Sequence, residues 1–460
     1  MWEESKVEIF ILQGSRSRHD ESASNVGIHI RGFSSMGLIL SITFLFCVVL
    51  NIPLAFSMGF ASILGLLLKE NIPLVIVPQR IFTGSDSFSL LAVPFFILAG
   101  ALMHTGGISL RLVKLAQALV GHFRNGLGMV SIVSEIFFSG ISGSTAADTA
   151  AIGSIMIPAM SQAGYTPARA TAIVCAACGM GILVPPCIAM VVYGGIANVS
   201  IGALFAAGFL PAFLMAAALM IQLNIQARRA GVPPTPWPGM KPALKAFKES
   251  LLALFMPIII FGGILGGICT PTEAAVLAVA YGLVISMFIY REITVKKLGE
   301  ILLETGIVTG KVMIMVGMAS VFAWILSREK VPQALANFIY STGGGRILFL
   351  LMTNIAFLFL GAVLEGIPAI IMSVPTLLPI ASQFGVDPVH FGIVLIANMG
   401  IGLFLPPVGL GLFIGCSLGK ISVAEVARPL LPYLGVNFAT VLLITYWPWL
   451  TLVIPKLLVK

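Results

Sequence analysis

The chain has 460 residues, of which 58% are hydrophobic and only 10% charged, and its mean hydropathy is +1.05. That balance excludes a soluble domain of ordinary composition. The net charge of +8 does not point to nucleic acid either, because the basic residues fall in short patches between apolar stretches, where the orientation signals of a membrane protein belong. The apolar stretches repeatedly reach the roughly 17 residues that a helical span needs, so the expected class is an all-α polytopic membrane protein.

Taken in chain order, residues 1–35 are Ser-rich and mixed in charge, with an apolar run only from Val7 to Leu12, too short for the apolar region of a signal peptide. They form an N-terminal extension, disordered or preceding a true start at Met36; the sequence leaves both open. Spans are expected near 36–52, 53–68 and 86–105, giving a scaffold over 36–124. A helical pair over 125–160 follows. Ser142, Gly143 and Ser144 stand at its bend, and Thr145-x-x-Asp148 has the form of a capping box opening the next helix. A broken helix over 168–198 and a span over 203–227 close the first half, 36–227, and 228–249 reads as a linker.

The second half, 250–455, runs through the same series. Spans near 250–268, 270–290 and 306–326 lie in a scaffold over 250–341, a pair over 346–384 bends at Glu365-Gly366, a broken helix covers 389–418, and a span covers 429–455. Pro368 falls in the first turn after that bend, where its missing N–H costs nothing. Asn51-Ile52-Pro53 and Cys269-Thr270-Pro271 are corresponding turns, and Glu273 reads as a helix cap or partner contact.

The correspondence has a fixed register. Pro158, Gly164, Pro167, Pro185, Pro186 and Pro211 recur as Pro379, Gly385, Pro388, Pro406, Pro407 and Pro432, an offset of 221 throughout (379 − 158, 385 − 164, 388 − 167, 406 − 185, 407 − 186, 432 − 211). With about five spans per copy, an odd number, the second copy enters the membrane from the opposite face, so the repeats are inverted. Each helical pair adds an even number of crossings whether it is a re-entrant hairpin or two full spans, and hydropathy does not separate those cases. Strict alternation places the loops 111–124, 228–248, 291–297 and 420–428 on one side. That side carries about 15 basic residues against about seven on the other, which makes it cytoplasmic. The first hairpin then enters from the cytoplasm and the second from outside.

Helices broken inside a membrane leave backbone groups unpaired, which is tolerated only where they are buried in protein or line a cavity. Gly179 and Gly181 before Pro185-Pro186, and Gly400 and Gly402 before Pro406-Pro407, are expected to provide close approach and free carbonyls for a hard cation such as sodium, with Ser142 and Ser144 adding hydroxyls. The helix starts near Thr145 and Pro368 present N–H donors and positive dipole ends that suit a carboxylate. Asp148 and Glu365 at the bends are read either as caps or as ion-site residues. Lys311 and Glu135 could pair, His104, His122 and His390 show no metal-ligand spacing, and the six cysteines, Cys175 and Cys178 included, read as packing residues. No nucleophile elbow, phosphate loop or zinc motif is present, so no enzyme and no cofactor is expected. An ion gradient is the expected driving force.

The run Ser-Gly-Ile-Ser-Gly-Ser-Thr-Ala-Ala-Asp-Thr-Ala-Ala-Ile-Gly over 139–153, the Gly164-Tyr165 step, Val184-Pro185-Pro186, Val199 to Phe205, and Gly392 to Gly409 resemble the large membrane subunit of tripartite ATP-independent periplasmic (TRAP) transporters, over about residues 36 to 455. The resemblance implies two inverted repeats, scaffold helices around a transport domain of hairpins and broken helices, and elevator-type movement. It also implies sodium coupling, a small four-helix membrane subunit, a periplasmic binding protein that delivers organic acids, and residence in the bacterial inner membrane. By that resemblance, Ser142 to Thr145 with Gly179 to Pro186 form one ion site. Gly361 to Pro368 with Asn398 to Pro407 form its mirror. This chain has Cys187 and Leu405 where the family usually has Ser and Thr, so each break lacks one hydroxyl. A stand-alone dicarboxylate or anion carrier of the same architecture is the alternative reading. A membrane subunit of a redox or proton-pumping complex is more distant, since such subunits need chains of buried ionisable residues that are scarce here.

Overall fold

The computed structural model describes residues 35–50, 52–68, 72–237 and 239–458, and every regular element among them is helical. Residues 1–34 and Asn51 of the expected first turn lie outside the described residues. The first half runs α1 (Ser35–Val49), α2 (Leu54–Leu67), α3 (Ile76–Ser85), α4 (Ala92–Thr105), α5 (Ile108–Val120), α6 (Gly126–Ser142), α7 (Thr145–Gln162), α8 (Pro167–Gly181), α9 (Ile188–Ala197) and α10 (Ile201–Arg229). The second runs α11 (Met240–Leu265), α12 (Pro271–Leu283), α13 (Val295–Arg328), α14 (Val331–Ser341), α15 (Gly345–Val363), α16 (Gly366–Gln383), α17 (Pro388–Gly402), α18 (Leu410–Gly419), α19 (Val423–Tyr446) and α20 (Trp449–Leu458).

The spacing of Pro and Gly in the sequence reappears as helix boundaries. α7 and α16 are 221 residues apart at both ends (366 − 145, 383 − 162), and so are α8 and α17 (388 − 167, 402 − 181). Local chemistry explains the shared starts of α8 and α17. Pro167 and Pro388 occupy the first helical position, where no N–H is needed. The Thr166 hydroxyl accepts from the Arg169 N–H at 3.3 Å, and the Asp387 carboxylate accepts from the N–H groups of Val389 and His390 at 2.8 and 3.2 Å.

The halves differ in the scaffold. In the first, α3 stops at Ser85, Asp86 and Ser87 leave helical conformation, and a short 3-10 turn, Phe88–Leu91, leads into α4. In the second, the corresponding stretch is the apolar pair Ile307-Val308, and α13 runs through it for 34 residues. At about 1.5 Å per residue that is about 51 Å, well past the roughly 30 Å apolar layer of a bilayer. The expected span at 306–326 is therefore only the later part of a helix that begins at Val295. Likewise α11 begins at Met240, inside the stretch read as a linker, and α19 ends at Tyr446, with Trp447-Pro448 separating it from α20.

Burial sorts the helices. Every residue of α8 from Ala170 to Gly181 and of α17 from His390 to Gly402 is buried, as expected of helices apolar all round and placed at the centre. α11 and α13 instead keep exposed apolar faces, Leu244, Phe255 and Ile258 on one and Leu303, Ile307 and Ile314 on the other. α13 packs along α2, α3 and α4, while α4 packs along α12. The two halves interlock: α9 lies on α16, and α18 lies on α7. Tyr193 in the middle of α9 donates its hydroxyl to the Pro388 carbonyl at 2.6 Å, and Asn437 of α19 donates to the Ala176 carbonyl of α8 at 3.1 Å.

Candidate substrate and ion site

The first hairpin tip is two residues long. Gly143 caps α6 in the left-handed region at φ +64, its N–H donating to the Ser139 carbonyl at 3.1 Å, and Ser144 is extended before α7 begins at Thr145. A Cβ at Gly143 would lie 3.0 Å from the Pro186 carbonyl oxygen and 3.2 Å from the Ile188 nitrogen. The tip is thus pressed against the helix break in its own half of the chain, and the Ile188 N–H donates to the Gly143 carbonyl at 3.4 Å. On the other side α4 comes equally close, since a Cβ at Gly100 would lie 2.7 Å from the Ser142 carbonyl oxygen. The second tip is looser. Leu364 and Glu365 are extended, α16 starts at Gly366, and nothing lies closer than 3.9 Å to a Cβ placed on Gly366.

The expected capping box at Thr145-x-x-Asp148 does not form. The Thr145 side chain caps nothing, because the N-cap is Ser144, and Asp148 turns inward to face Glu135 beside Ser139 and Ser142. Boxes do form at Thr270 with Glu273 and at Ser422 with Glu425. Glu135 and Asp148 are both fully buried. The Cys178 thiol donates to one Glu135 oxygen at 3.3 Å, while Glu135 Oε1 and both carboxylate oxygens of Asp148 make no hydrogen bond of good geometry, although the Ser139 and Ser142 hydroxyls and the Glu135 carboxyl group stand near Asp148. The expected Glu135 to Lys311 pair is also absent: Lys311 is exposed on α13.

The breaks place their glycines and carbonyls differently from expectation. Gly179 and Gly400 are where α8 and α17 cross. A Cβ at Gly179 would lie 3.1 Å from the Gly400 carbonyl oxygen, and one at Gly400 would overlap the Gly179 carbonyl. Gly181 makes room for the Glu135 carboxylate, and Gly402 for the backbone of α15 at Leu358 and Gly361. The Gly181 carbonyl is already occupied, accepting from Ser139 Oγ and from the Val184 N–H, both at 2.7 Å. Free carbonyls come a few residues later: among the described residues, those of Leu183, Val184, Pro185 and Pro186, and those of Phe404, Pro406 and Pro407, accept no hydrogen bond. Both Pro-Pro bonds are cis. Beside the second break Asn398 donates to Asn354 and to the Val394 carbonyl, and its own amide oxygen has no partner.

Both tips wall one cleft of about 240 Å³. Ser142, Gly143, Ser144 and Thr145 line it from the first half and Glu365 and Gly366 from the second, so the first turns of α7 and α16, where a helix has free N–H groups, both border it. Asp148, the break glycines, Asn398 and the Pro-Pro pairs lie behind this wall and do not line the cleft. The opposite wall is scaffold: His104 and Thr105 end α4, and Glu304 and Thr305 lie in the third turn of α13. Sequence reasoning missed these four. Glu304 fell in an apparent loop because the span seemed to start at 306, whereas an ionisable residue within a span is a functional candidate by default.

The DctM component of the tripartite ATP-independent periplasmic transporters has a family profile that matches residues 41–450. The chain belongs to the DctM family. It is therefore a multi-pass membrane protein of a transporter family, with its hairpins and broken helices inside the matched region. Two DctM-family relatives come from Vibrio cholerae. The C4-dicarboxylate TRAP transporter large permease protein DctM is 38% identical over 431 residues, covering 89% of this chain and 95% of its own. The sialic acid TRAP transporter large permease protein SiaM is 38% identical over 407 residues, covering 88% and 95%. Among solved structures, the YdaH transporter of Alcanivorax borkumensis shares the fold at 14% identity, with a TM-score of 0.59 over 89% of this chain and 98% of that one.

Proposed function

We propose that this DctM-family chain is the large permease subunit of a sodium-coupled importer of small organic acids, of the dicarboxylate, keto acid or sugar acid class, in the bacterial inner membrane. It works with a small four-helix membrane subunit and a periplasmic binding protein that delivers the acid. The observation that carries the reading is the cleft walled by both hairpin tips, with two helix N-termini aimed at one small volume. A carboxylate there receives N–H groups near Thr145 and Gly366 and two favourable dipole ends.

The oxygens behind the tips suit sodium. Asp148 has two buried carboxylate oxygens and Glu135 one that make no hydrogen bond of good geometry, the carbonyls from Leu183 to Pro186 are free, and the Asn398 amide oxygen is unpaired beside the second break. Buried oxygens left this way are costly unless a cation or proton joins them, and hard oxygen donors match a hard cation. Asp148, Ser142 and the free carbonyls of the first break would hold one ion, and Asn398 with the carbonyls of Phe404, Pro406 and Pro407 the other. When bound, sodium supplies positive charge behind each tip. Gly143 keeps the first tip seated on its break, and Gly366 leaves room for the acid. The cleft lies by the last turn of α4, just before Arg111 and Lys114, and by the first turns of α13, after Lys296 and Lys297. By the distribution of basic residues this is the cytoplasmic half, so the arrangement is the inward-facing one.

The test is uptake of radiolabelled organic acids into proteoliposomes holding this chain and its small subunit, with the binding protein added outside. Uptake should require both an inward sodium gradient and the binding protein. Uptake that follows a proton gradient and ignores sodium would refute the coupling, and uptake without the binding protein would favour a stand-alone carrier.

A further inference from the structure

The charges in the cleft restrict what the rest of the substrate looks like. Two carboxylates, Glu304 from the scaffold and Glu365 from the second tip, line it, and His104 is the only other titratable side chain there. Among the described residues no Lys or Arg lines it. Both glutamates are exposed within the described residues and neither makes an ion pair; Lys297, two turns before Glu304, is taken by Glu300 at 2.9 Å. Lys311 lies two turns further along α13 and does not line the cleft. A separate observation points the same way. Thr305, 7% exposed and next to Glu304 on the same wall, has a hydroxyl with no hydrogen-bond partner.

From this pairing we infer that the acid this chain carries has one carboxylate and a tail of hydrogen-bond donors, hydroxyls or an ammonium, and that Glu304, Glu365 and Thr305 select for that tail against a second carboxylate. The inference rests on the cleft being the substrate site, as proposed above. With the first carboxylate held at the start of α7, in the first tip, the rest of the substrate meets the scaffold wall and Glu365 of the second tip. An ionised glutamate there accepts hydrogen bonds and donates none. Hydroxyls and ammonium groups satisfy Glu304, Glu365 and the unpaired Thr305 hydroxyl together. A second carboxylate brings like charge against two glutamates and leaves them without donors, the repulsive element that specificity requires. Sodium at the breaks does not remove this conflict, because the break glycines, the Pro-Pro pairs and Asp148 are behind the tips and Glu304 is across the cleft.

The experiment measures ligand-induced thermal stabilisation of the full-length chain in lipid nanodiscs, in sodium buffer, with three probes: gluconate, serine and succinate. Gluconate or serine should half-saturate at a concentration at least about fivefold below succinate, the scale of one screened like-charge contact. The order of gluconate and serine tells hydroxyl donors from an ammonium. Glu304→Gln and Glu365→Gln, nearly isosteric and checked as folded by their own melting curves, should each bring the ratio to within about twofold by improving succinate. Succinate binding as tightly as the better of the other two, or a ratio unchanged in both variants, overturns the inference while leaving the cleft as a carboxylate site. Stabilisation by none of the three overturns the cleft as a carboxylate site, and the inference with it.

Discussion

Gly143 and Gly366 hold corresponding places at the two tips but obey different constraints. Gly143 has φ +64 and lies against the backbone of Pro186 and Ile188, so Gly143→Ala should cost about 1–2 kcal/mol from backbone conformation alone and also abolish uptake. Gly366 has helical conformation and free space around it. Gly366→Ala should therefore leave both melting temperature and uptake near wild type, and Gly366→Leu should fold but block uptake by filling the cleft. Equal tolerance at both positions, read by thermal melts and initial uptake rates, would mean that the first tip is not seated on its break. Asp148 makes a separate prediction. If its unpaired oxygens hold sodium, Asp148→Asn should raise the sodium concentration for half-maximal uptake by at least about tenfold, the effect of losing one charged ligand worth about 1.4 kcal/mol. An unchanged sodium dependence would remove Asp148 from the ion site. Its inward direction was hidden in the sequence, where Thr145-x-x-Asp148 matched a capping pattern, whereas the folded chain buries the side chain beside Ser139, Ser142 and Glu135, residues distant enough in sequence to leave no local signal.

At the scale of elements, the crossing of α8 and α17 fixes how the two halves meet. Gly400→Val would push side-chain atoms into the Gly179 carbonyl and should destabilise by about 1–3 kcal/mol. Gly306→Ala, on α13 with nothing within 4 Å of its Cβ, should be neutral or stabilise by up to about 1 kcal/mol. Thermal melts of the two variants in one lipid preparation make the comparison, and equal behaviour would contradict the close crossing. The matched starts of α8 and α17 follow from local chemistry, since Pro167 and Pro388 need no N–H there and Thr166 and Asp387 cap the helices. The length of α13 was not legible in the sequence, because Lys296, Lys297, Glu300 and Glu304 make its first turns read as loop although α3 and α4 pack along the helix. The scaffold wall of the cleft had no local signal at all. It exists only where α4 and α13 are brought opposite the tips.

For the whole molecule, the fold class was legible from apolar content, and the constant offset in the sequence returns as matched helix bounds, while the cleft between the tips depends on the interlock of α9 with α16 and of α18 with α7. That interlock couples the halves, so a sliding transport domain would carry both tips together past α4 and α13. The claim that matters most is that the two tips wall one substrate cleft. Thiol labelling tests it directly, with the native cysteines replaced and single cysteines introduced as Ala147→Cys and Gly366→Cys. A membrane-impermeant maleimide is applied to inside-out and right-side-out vesicles, with and without sodium plus the transported acid. Both positions should label from the cytoplasmic side, and sodium with the acid should slow both together. Protection at one tip only, or labelling of the two tips from opposite sides without ligand, would contradict a shared cleft.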